Sequence, residues 1–137
     1  MGHQQKLLYV LGMVVVSAAI LTGIKKFITS HQEANINALT VDLLDIAAKI
    51  QIYYSTPQYL GGGNHSFSGL TANETGLPKL FIDNQNENGT FKIINPGNDD
   101  FLIVQAIGKD DYDGDGTNLT IEMTVYADSV ETKVVNY

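Results

Sequence analysis

The sequence predicts an α+β protein, in which one long N-terminal α-helix precedes a small antiparallel β-sheet. Residues 7–24 form an uninterrupted apolar run, a helical pattern continues beyond it, and no proline occurs before Pro57. Further along, segments rich in β-branched and aromatic residues are separated by turn residues, which is typical of short strands. We therefore expect a helical part over residues 1–56, and a glycine-rich loop with a β head over residues 57–137.

The apolar run, LLYVLGMVVVSAAILTGI, carries no charge over its 18 residues and is flanked by Lys6 and by Lys25 and Lys26. This length reaches the lower bound for a membrane-spanning helix. Three interpretations are open. The run is a secretory signal with a small-residue cleavage site at 17–19, a simple membrane anchor whose lysines lie at the interface, or a helix that becomes buried against copies of itself in a filament.

Two features favour the filament interpretation. The run contains small residues that let helices approach closely, and the helical pattern does not stop at Lys26. We expect a filament core over residues 4–27 and an amphipathic half over residues 28–55. The predicted filament-core residues are Leu7, Leu8, Val10, Leu11, Val14, Val15, Ala18, Ala19, Leu21 and Ile24.

The amphipathic half shows a single apolar stripe. Leu39, Leu43, Ile46, Ile50 and Tyr53 recur at i, i+4, i+7, i+11 and i+14, which places them on one face of an α-helix. A proline at position 57 disfavours helical backbone just before it, so the helix is expected to end near residue 55 or 56. The stripe predicts that this half of the helix seats the head.

The head is predicted to be an antiparallel meander of three or four strands. Asn88-Gly89 and Pro96-Gly97 are turn signals, and a turn over 127–129 is expected to join the last two strands. Phe67 is expected to anchor the loop that contains Gly61-Gly62-Gly63 onto the helix end. The expected strands cover residues 90–94, 101–107, 119–126 and 131–135.

This order of parts resembles the type IV pilin and pseudopilin superfamily. The resemblance covers the helix and the loop, about half of the chain. It implies a ladle-shaped bacterial subunit that is inserted in the inner membrane, handled by a secretion or pilus assembly machinery, and then built into an extracellular helical homopolymer. The segments that resemble small pilin-like proteins are Met1-Gly2-His3-Gln4-Gln5, Tyr53-Tyr54, Pro57, Gly61-Gly62-Gly63 and Ser66-Phe67-Ser68-Gly69.

The chain departs from the pilin pattern near its N-terminus. Pilins usually carry a glutamate five residues after the prepilin-peptidase cut, and after a cut behind Gly2 that position would be Leu7. The usual helix-breaking proline is missing as well. We therefore do not expect standard processing, and assembly is expected to depend on apolar packing instead of a glutamate contact.

An acidic loop is the most suggestive site for a ligand. Asp111, Asp113 and Asp115 occupy positions 1, 3 and 5 of a formal calcium-loop pattern, with Glu122 at position 12. The carbonyl of Thr117 would add a ligand, and pseudopilins often bind calcium in this part of the head. The alternative is a polar hairpin loop without a cation, because aspartate and glycine are ordinary turn residues.

Composition narrows the functional class further. The net charge of −7 argues against binding of nucleic acid, which needs clustered lysine and arginine. The chain has no cysteine, and no nucleophile–base set is visible, so an enzyme is not expected. The predicted function is a structural subunit of an extracellular pilus-like filament. The alternative is a single-pass membrane-anchored surface protein, or a pseudopilin, with a calcium-binding acidic loop.

Overall fold

The computed structural model describes residues 2–72 and 76–137. One α-helix, α1, covers Gly2–Ser55, and four strands follow it. Single 3₁₀ turns at Gln58–Leu60 and Pro78–Leu80 lie in the connection between the helix and the sheet. The predicted α+β class is confirmed. The strands are β1 (Gly89–Asn95), β2 (Phe101–Gly108), β3 (Thr120–Tyr126) and β4 (Val130–Asn136).

Helix α1 has 54 residues and runs without interruption through Gly12 and Gly23. It ends where the sequence predicts. The N–H of Thr56 still donates to the Ile52 carbonyl at 3.0 Å, and its hydroxyl donates to the same oxygen at 2.6 Å. Pro57 follows with extended backbone, which closes the helix at this point.

The chain forms two compact units, Met1–Glu33 and Ala34–Tyr137. The described part of the first unit is helical throughout. The second unit contains the rest of α1, the connecting loops and the sheet. The division falls inside α1 because residues 39–53 of the helix supply part of the core of the second unit.

The sheet is an antiparallel meander with strand order β1-β2-β3-β4. Along β3, Ile121, Met123 and Val125 are buried, while Glu122 and Thr124 between them are half-buried on the other face. A pleated strand sends successive side chains to opposite faces, so the alternation read from the sequence is confirmed. The predicted turn is also present, because the N–H of Tyr126 donates to the Ser129 carbonyl at 2.9 Å.

The core of the second unit lies between the apolar face of the sheet and one stripe of α1. All five residues of the predicted stripe are buried there. The Gln51 side-chain amide reinforces the packing by donating to the Tyr126 carbonyl at 3.0 Å. The predicted seat of the head on the amphipathic half is confirmed. The strand residues in the core are Phe91, Ile93, Leu102, Val104, Ala106, Ile121, Met123 and Val125.

Phe67 ties the long loop to both the helix and the sheet. Its side chain is fully buried, and its ring centroid lies 4.6 Å from that of Tyr54 near the end of α1. Its backbone N–H donates to the Asn98 carbonyl at 2.9 Å. Gly97 approaches so closely that an added Cβ would meet the Phe67 carbonyl oxygen at 2.0 Å. The predicted anchor is confirmed.

Candidate functional site

The first candidate site is the apolar surface of α1 within the unit Met1–Glu33. Its large side chains are exposed in every direction around the helix, from 52% for Ile24 to 71% for Tyr9 over residues 7–24. By length and composition this helix could cross a membrane. Eighteen helical residues span about 27 Å, close to the roughly 30 Å hydrocarbon core of a bilayer.

The hydroxyl groups of this segment suit an environment without water. Ser17 donates to the Met13 carbonyl at 2.8 Å, and Thr22 donates to the Ala18 carbonyl at 2.9 Å. Each hydroxyl is satisfied by its own helix, so burying it in lipid or among other helices leaves no unpaired donor.

The ten predicted filament-core residues all lie on this exposed surface. Contiguous apolar patches of more than a few hundred Å² are rare on soluble monomers, and larger ones mark contacts with proteins or membranes. Within the described residues, a Cβ added at Gly12 or Gly23 would meet no atom within 4 Å, so both glycines leave open space beside the helix. Exposure of this apolar surface to water is unfavourable, and either lipid or protein could bury it.

The second candidate site is the acidic loop over residues 109–119, which joins β2 to β3. Its base is held by two backbone hydrogen bonds, from Gly108 N–H to the Leu119 carbonyl at 2.7 Å and from Leu119 N–H to the Asp110 carbonyl at 2.8 Å. The Tyr112 hydroxyl accepts a hydrogen bond at 3.1 Å from the Asn35 side chain on α1. The loop is therefore fastened at its base and along one side.

The tip of the loop is built around Asp111. One of its carboxylate oxygens accepts the N–H of Gly114 and the other accepts the N–H of Gly116, both at 2.8 Å. Both glycines have left-handed backbone, with φ of 77° and 89°, a conformation that glycine adopts without steric cost. Asp113 and Asp115 accept the N–H groups two residues on, at 3.1 and 2.7 Å.

The surroundings of Asp111 and Asp113 shift the pKa values of their carboxyl groups in opposite directions. The N–H groups of Gly116 and Gly114 lower the pKa of Asp111 below its ordinary value. The N–H of Asp115 also lowers the pKa of Asp113, but partial desolvation and the adjacent carboxylates outweigh it, so that this pKa is raised overall. Mutual repulsion of this kind is relieved by a proton or by a bound cation.

Three of the five predicted metal ligands come together. Carboxylate oxygens of Asp111, Asp113 and Asp115 all lie within 4.8 Å of one another, and all three residues are exposed. This cluster could bind a metal ion, and carboxylate oxygens are the ligands that hard divalent cations prefer.

The other two predicted ligands are engaged elsewhere. Glu122 lies on β3 opposite Gln105, whose side-chain amide donates to it at 3.2 Å. The Thr117 carbonyl accepts a hydrogen bond from the Asn136 side chain at 2.9 Å. Position 12 of the formal pattern therefore falls on a paired strand instead of curling back over the loop, because β3 begins at Thr120.

Sequence reasoning missed a third exposed surface. It described the second half of α1 as apolar on one side, yet Val41, Leu44 and Ile52 are exposed on the opposite side. Leu60 and Phe81, from the connecting loops, are exposed as well. Positions 41, 44, 48 and 52 follow a helical repeat, and this spacing would have revealed a second stripe. Sequence reasoning used only the stronger stripe, which seats the head.

No protein-family model, curated protein sequence or solved structure matches this chain.

Proposed function

We propose that this chain is a structural subunit of an extracellular pilus-like filament, assembled through its N-terminal apolar helices. The observation that carries the proposal is the exposure of the apolar run on all sides of α1. A helix that is apolar all round is stable when it is surrounded on every side. Lipid provides such an environment before assembly, and neighbouring copies provide it afterwards.

The folded head supports an extracellular structural role. It is acidic and contains a four-stranded sheet. Because the heads of different copies carry charge of the same sign, they repel one another, which keeps them soluble and limits random association. The resemblance to type IV pilins and pseudopilins points in the same direction. It implies a bacterial protein that is held in the inner membrane until an assembly machinery extracts it.

The competing function is a single-pass surface protein that stays in the membrane. The same helix supports it, since its length matches a bilayer and Lys25 and Lys26 follow the apolar run as interfacial anchors do. The two functions differ in where the chain is found. Material sheared from the cell surface contains this chain as its main band if it forms filaments, whereas an anchored protein stays with the membranes.

A charge placed in the apolar run tests the filament directly. We expect Val15→Asp to abolish fibres in negative-stain images, because a buried carboxylate without a partner costs several kcal/mol. Val135→Asp, which puts the same charge on an exposed position of β4, should leave fibres intact. Fibres that persist in Val15→Asp would overturn assembly through the apolar run. Wild-type protein that stays monomeric in detergent and wholly in the membrane fraction of cells would overturn the filament function itself.

We further propose that the acidic loop binds calcium and rigidifies the tip between β2 and β3. The support is the convergence of three carboxylates together with the raised pKa of Asp113, which a divalent cation would reverse. Extracellular calcium modules bind at about 10⁻⁴–10⁻³ M.

Calcium in that range should raise the unfolding temperature of the wild-type chain and leave Asp113→Asn unchanged. Asp128→Asn, in the turn between β3 and β4, is the matched control and should respond like the wild type. An equal response of all three proteins would show that calcium acts elsewhere or non-specifically.

A further inference from the structure

The outer edge of β4 is an open sheet edge on the unit Ala34–Tyr137. The sheet has two outermost strands, β1 and β4. Residues 84–86 run along the first part of β1, where the Phe91 N–H donates to the Asn84 carbonyl at 2.7 Å. Among the described residues, no hydrogen bond reaches the outer edge of β4 between positions 130 and 134. One edge of the sheet is therefore partly covered, whereas the other is open to a further strand.

The pairing of β4 with β3 decides which backbone groups point away from the sheet. The N–H of Tyr126 donates to the Ser129 carbonyl, so these two residues form a hydrogen-bonded pair. Such pairs alternate with non-hydrogen-bonded pairs along an antiparallel ladder. The register continues without a shift as far as Val134, so the backbone groups of Glu131 and Lys133 bond to β3. The residues whose N–H and C=O groups point outward are Val130, Thr132 and Val134.

The order of side chains along this edge is symmetric about Thr132. Residues 130–134 read VETKV, with a valine at each end and opposite charges on either side of the centre. When a second copy of this segment runs antiparallel with Thr132 opposite Thr132, each Glu131 stands opposite Lys133 of the other copy. Outward-pointing backbone groups then face outward-pointing backbone groups, so each such pair can exchange two N–H···O bonds.

The neighbouring registers are unfavourable. Outward-pointing groups recur at every second residue, so the pairing can shift only in steps that keep these groups facing each other. One step in either direction places Glu131 opposite Glu131, or Lys133 opposite Lys133. Like charges directly opposite each other destabilise a sheet, whereas opposite charges stabilise it. The charges of this edge therefore select one register.

Pairing in this register also extends both faces of the sheet. Val130 and Val134 are half-buried and pack against the core of the head, and each would stand beside the other valine of the second copy. On the opposite face, Lys133 has Glu122 as its neighbour on β3. It would gain Glu131 of the second copy on its other side, so that its ammonium group lies between two carboxylates.

Other features of β4 act against pairing with arbitrary strands. Charged side chains and bulges are common protections of edge strands. Beyond Val134 the register with β3 shifts, because Ile121 pairs with Val134 and Thr120 pairs with Asn136, which leaves Val135 as an extra residue. The regular edge is therefore short, and it favours a partner that carries complementary charges at the same spacing. The segment 130–134 of another copy of this chain meets that condition.

We propose that β4 pairs antiparallel with β4 of a second copy of this chain, in the register that sets Thr132 opposite Thr132 and Glu131 opposite Lys133. The contact uses the same edge of both copies, so it is two-fold and closes at two copies. It does not rest on the proposed filament function. It does not extend a filament either, because a filament grows by repeating a contact in one direction, and it joins the heads of copies in adjacent filaments or membranes.

Net charge sets the strength of this contact. Residues 34–137 carry five lysines against fourteen carboxylates, a net charge of −9. Two heads therefore repel each other at long range, and the pairing is weak in dilute solution. Membranes or filaments that hold many heads close together raise the local concentration and favour it.

Disulfide formation through Thr132→Cys tests the pairing, because the chain contains no other cysteine. Residues of a hydrogen-bonded pair have Cα atoms about 5.5 Å apart, a distance that a disulfide spans. The full-length protein is oxidised in membranes and in detergent, and we expect a covalent dimer. Val135→Cys, exposed on the same strand, is the control. Its two copies lie about 20 Å apart in this register, so its dimer yield should be at least about tenfold lower.

Charge reversal tests the register. In the Thr132→Cys background, Glu131→Lys places lysine opposite lysine, and Lys133→Glu places glutamate opposite glutamate. Either change should lower the dimer yield by at least about tenfold. When the two variants are mixed under separate tags, opposite charges again face each other, and a mixed-tag dimer should form at the yield of the unreversed protein.

Unfolding temperatures separate this effect from a loss of folding. Lys133→Glu also places a carboxylate opposite Glu122 within the same sheet, so its unfolding temperature should fall. Glu131 stands opposite Thr124, which is uncharged, so Glu131→Lys should leave the unfolding temperature unchanged. Glu131→Lys is therefore the decisive single variant.

Amide exchange, followed by NMR in detergent, tests the pairing without any substitution. The N–H groups of Val130, Thr132 and Val134 should exchange more slowly as the ratio of protein to detergent rises. Those of Glu131 and Lys133 already bond to β3, so their exchange should not change. Exchange at Thr132 that is independent of this ratio would contradict the pairing.

The remaining outcomes are equally decisive. Equal dimer yields at positions 132 and 135, undiminished dimers in Glu131→Lys, or no mixed-tag dimer from the two reversed variants would overturn the pairing. A disulfide from position 132 to a different protein, without a dimer of this chain, would assign the edge to that partner and overturn self-pairing. Fibres without the dimer would overturn the pairing and leave the filament function standing. The dimer without fibres would support the pairing and count against the filament.

Discussion

Asp111 and Asp113 show how hydrogen bonds differentiate two carboxyl groups two residues apart. Because the pKa of Asp111 is lowered in the folded chain, its ionisation favours folding at pH values above the ordinary 3.8, and this contribution is lost as the pH falls through its folded pKa. The pKa of Asp113 is raised from 3.8, so its contribution has the opposite sign. It is present below 3.8 and is lost as the pH rises through the folded pKa.

Asparagine at these two positions should therefore act in opposite directions. Without divalent cations at pH 7, Asp111→Asn should lower the unfolding temperature, because an amide has one acceptor oxygen for two N–H groups. Asp113→Asn should leave the unfolding temperature equal or raise it. Circular dichroism melts from pH 2 to pH 7 measure both effects, and the Asp111→Asn deficit should shrink as Asp111 becomes protonated. The reverse order at pH 7 would contradict these hydrogen bonds.

Single residues also show what the sequence revealed and what it did not. The aspartates at 111, 113 and 115 were predictable as a group because a spacing of two in a glycine-rich turn brings side chains together. The separate engagement of Glu122 was not, because it depends on the register that pairs this residue with Gln105 across the sheet. The exposure of Phe81 was equally hidden, since nothing local distinguishes an exposed phenylalanine from a buried one.

At the scale of elements, α1 has two halves with different requirements. In the first half the helix is apolar all round and carries small residues. In the second half it is divided between an inner stripe that seats the head and an outer stripe that is exposed. The inner stripe, the helix end at Ser55 and all four strands could be predicted, because periodicities of 3.6 and 2 are properties of the chain itself. The outer stripe follows a helical spacing too, but only the position of the sheet decided that it is the stripe left exposed.

Gly23 offers a prediction at this scale. Its replacement by leucine should raise helix content slightly, because glycine costs about 1 kcal/mol more than alanine in a helix interior and leucine is a good helix former. If helices pack closely at Gly23, the same change should reduce fibre formation. Circular dichroism in detergent and fibre counts measure the two effects. Leucine in place of Thr29, a position outside the apolar run, is the control and should leave fibres unchanged. Undiminished fibres in Gly23→Leu would show that no close contact is made at this position.

At the scale of the whole molecule, the two compact units differ in whether their apolar residues are buried or exposed. The described core residues, from Leu39 to Val125, all belong to Ala34–Tyr137, whereas the large apolar residues of Met1–Glu33 are exposed. One unit supplies a folded head, and the other supplies an exposed apolar helix surface.

A chain that begins at Ala34 should therefore fold without the first unit. We expect it to be soluble, to show a cooperative melt, and to keep the same strand pairing in backbone NMR. Chains of about 100 residues bury enough apolar surface to fold alone. It should not form fibres, because the apolar run is missing. A truncated protein without a cooperative transition would show that the first unit contributes to the stability of the head.

The sequence by itself determined the long helix, its apolar and amphipathic halves, the antiparallel meander of the head and the acidic turn, because each depends on the order of neighbouring residues. Only the tertiary structure decided which carboxylates converge, which helix face is covered by the sheet and which is left bare, and where Phe81 lies. Those features arise from contacts between residues far apart in the chain, and local spacing carries little information about them.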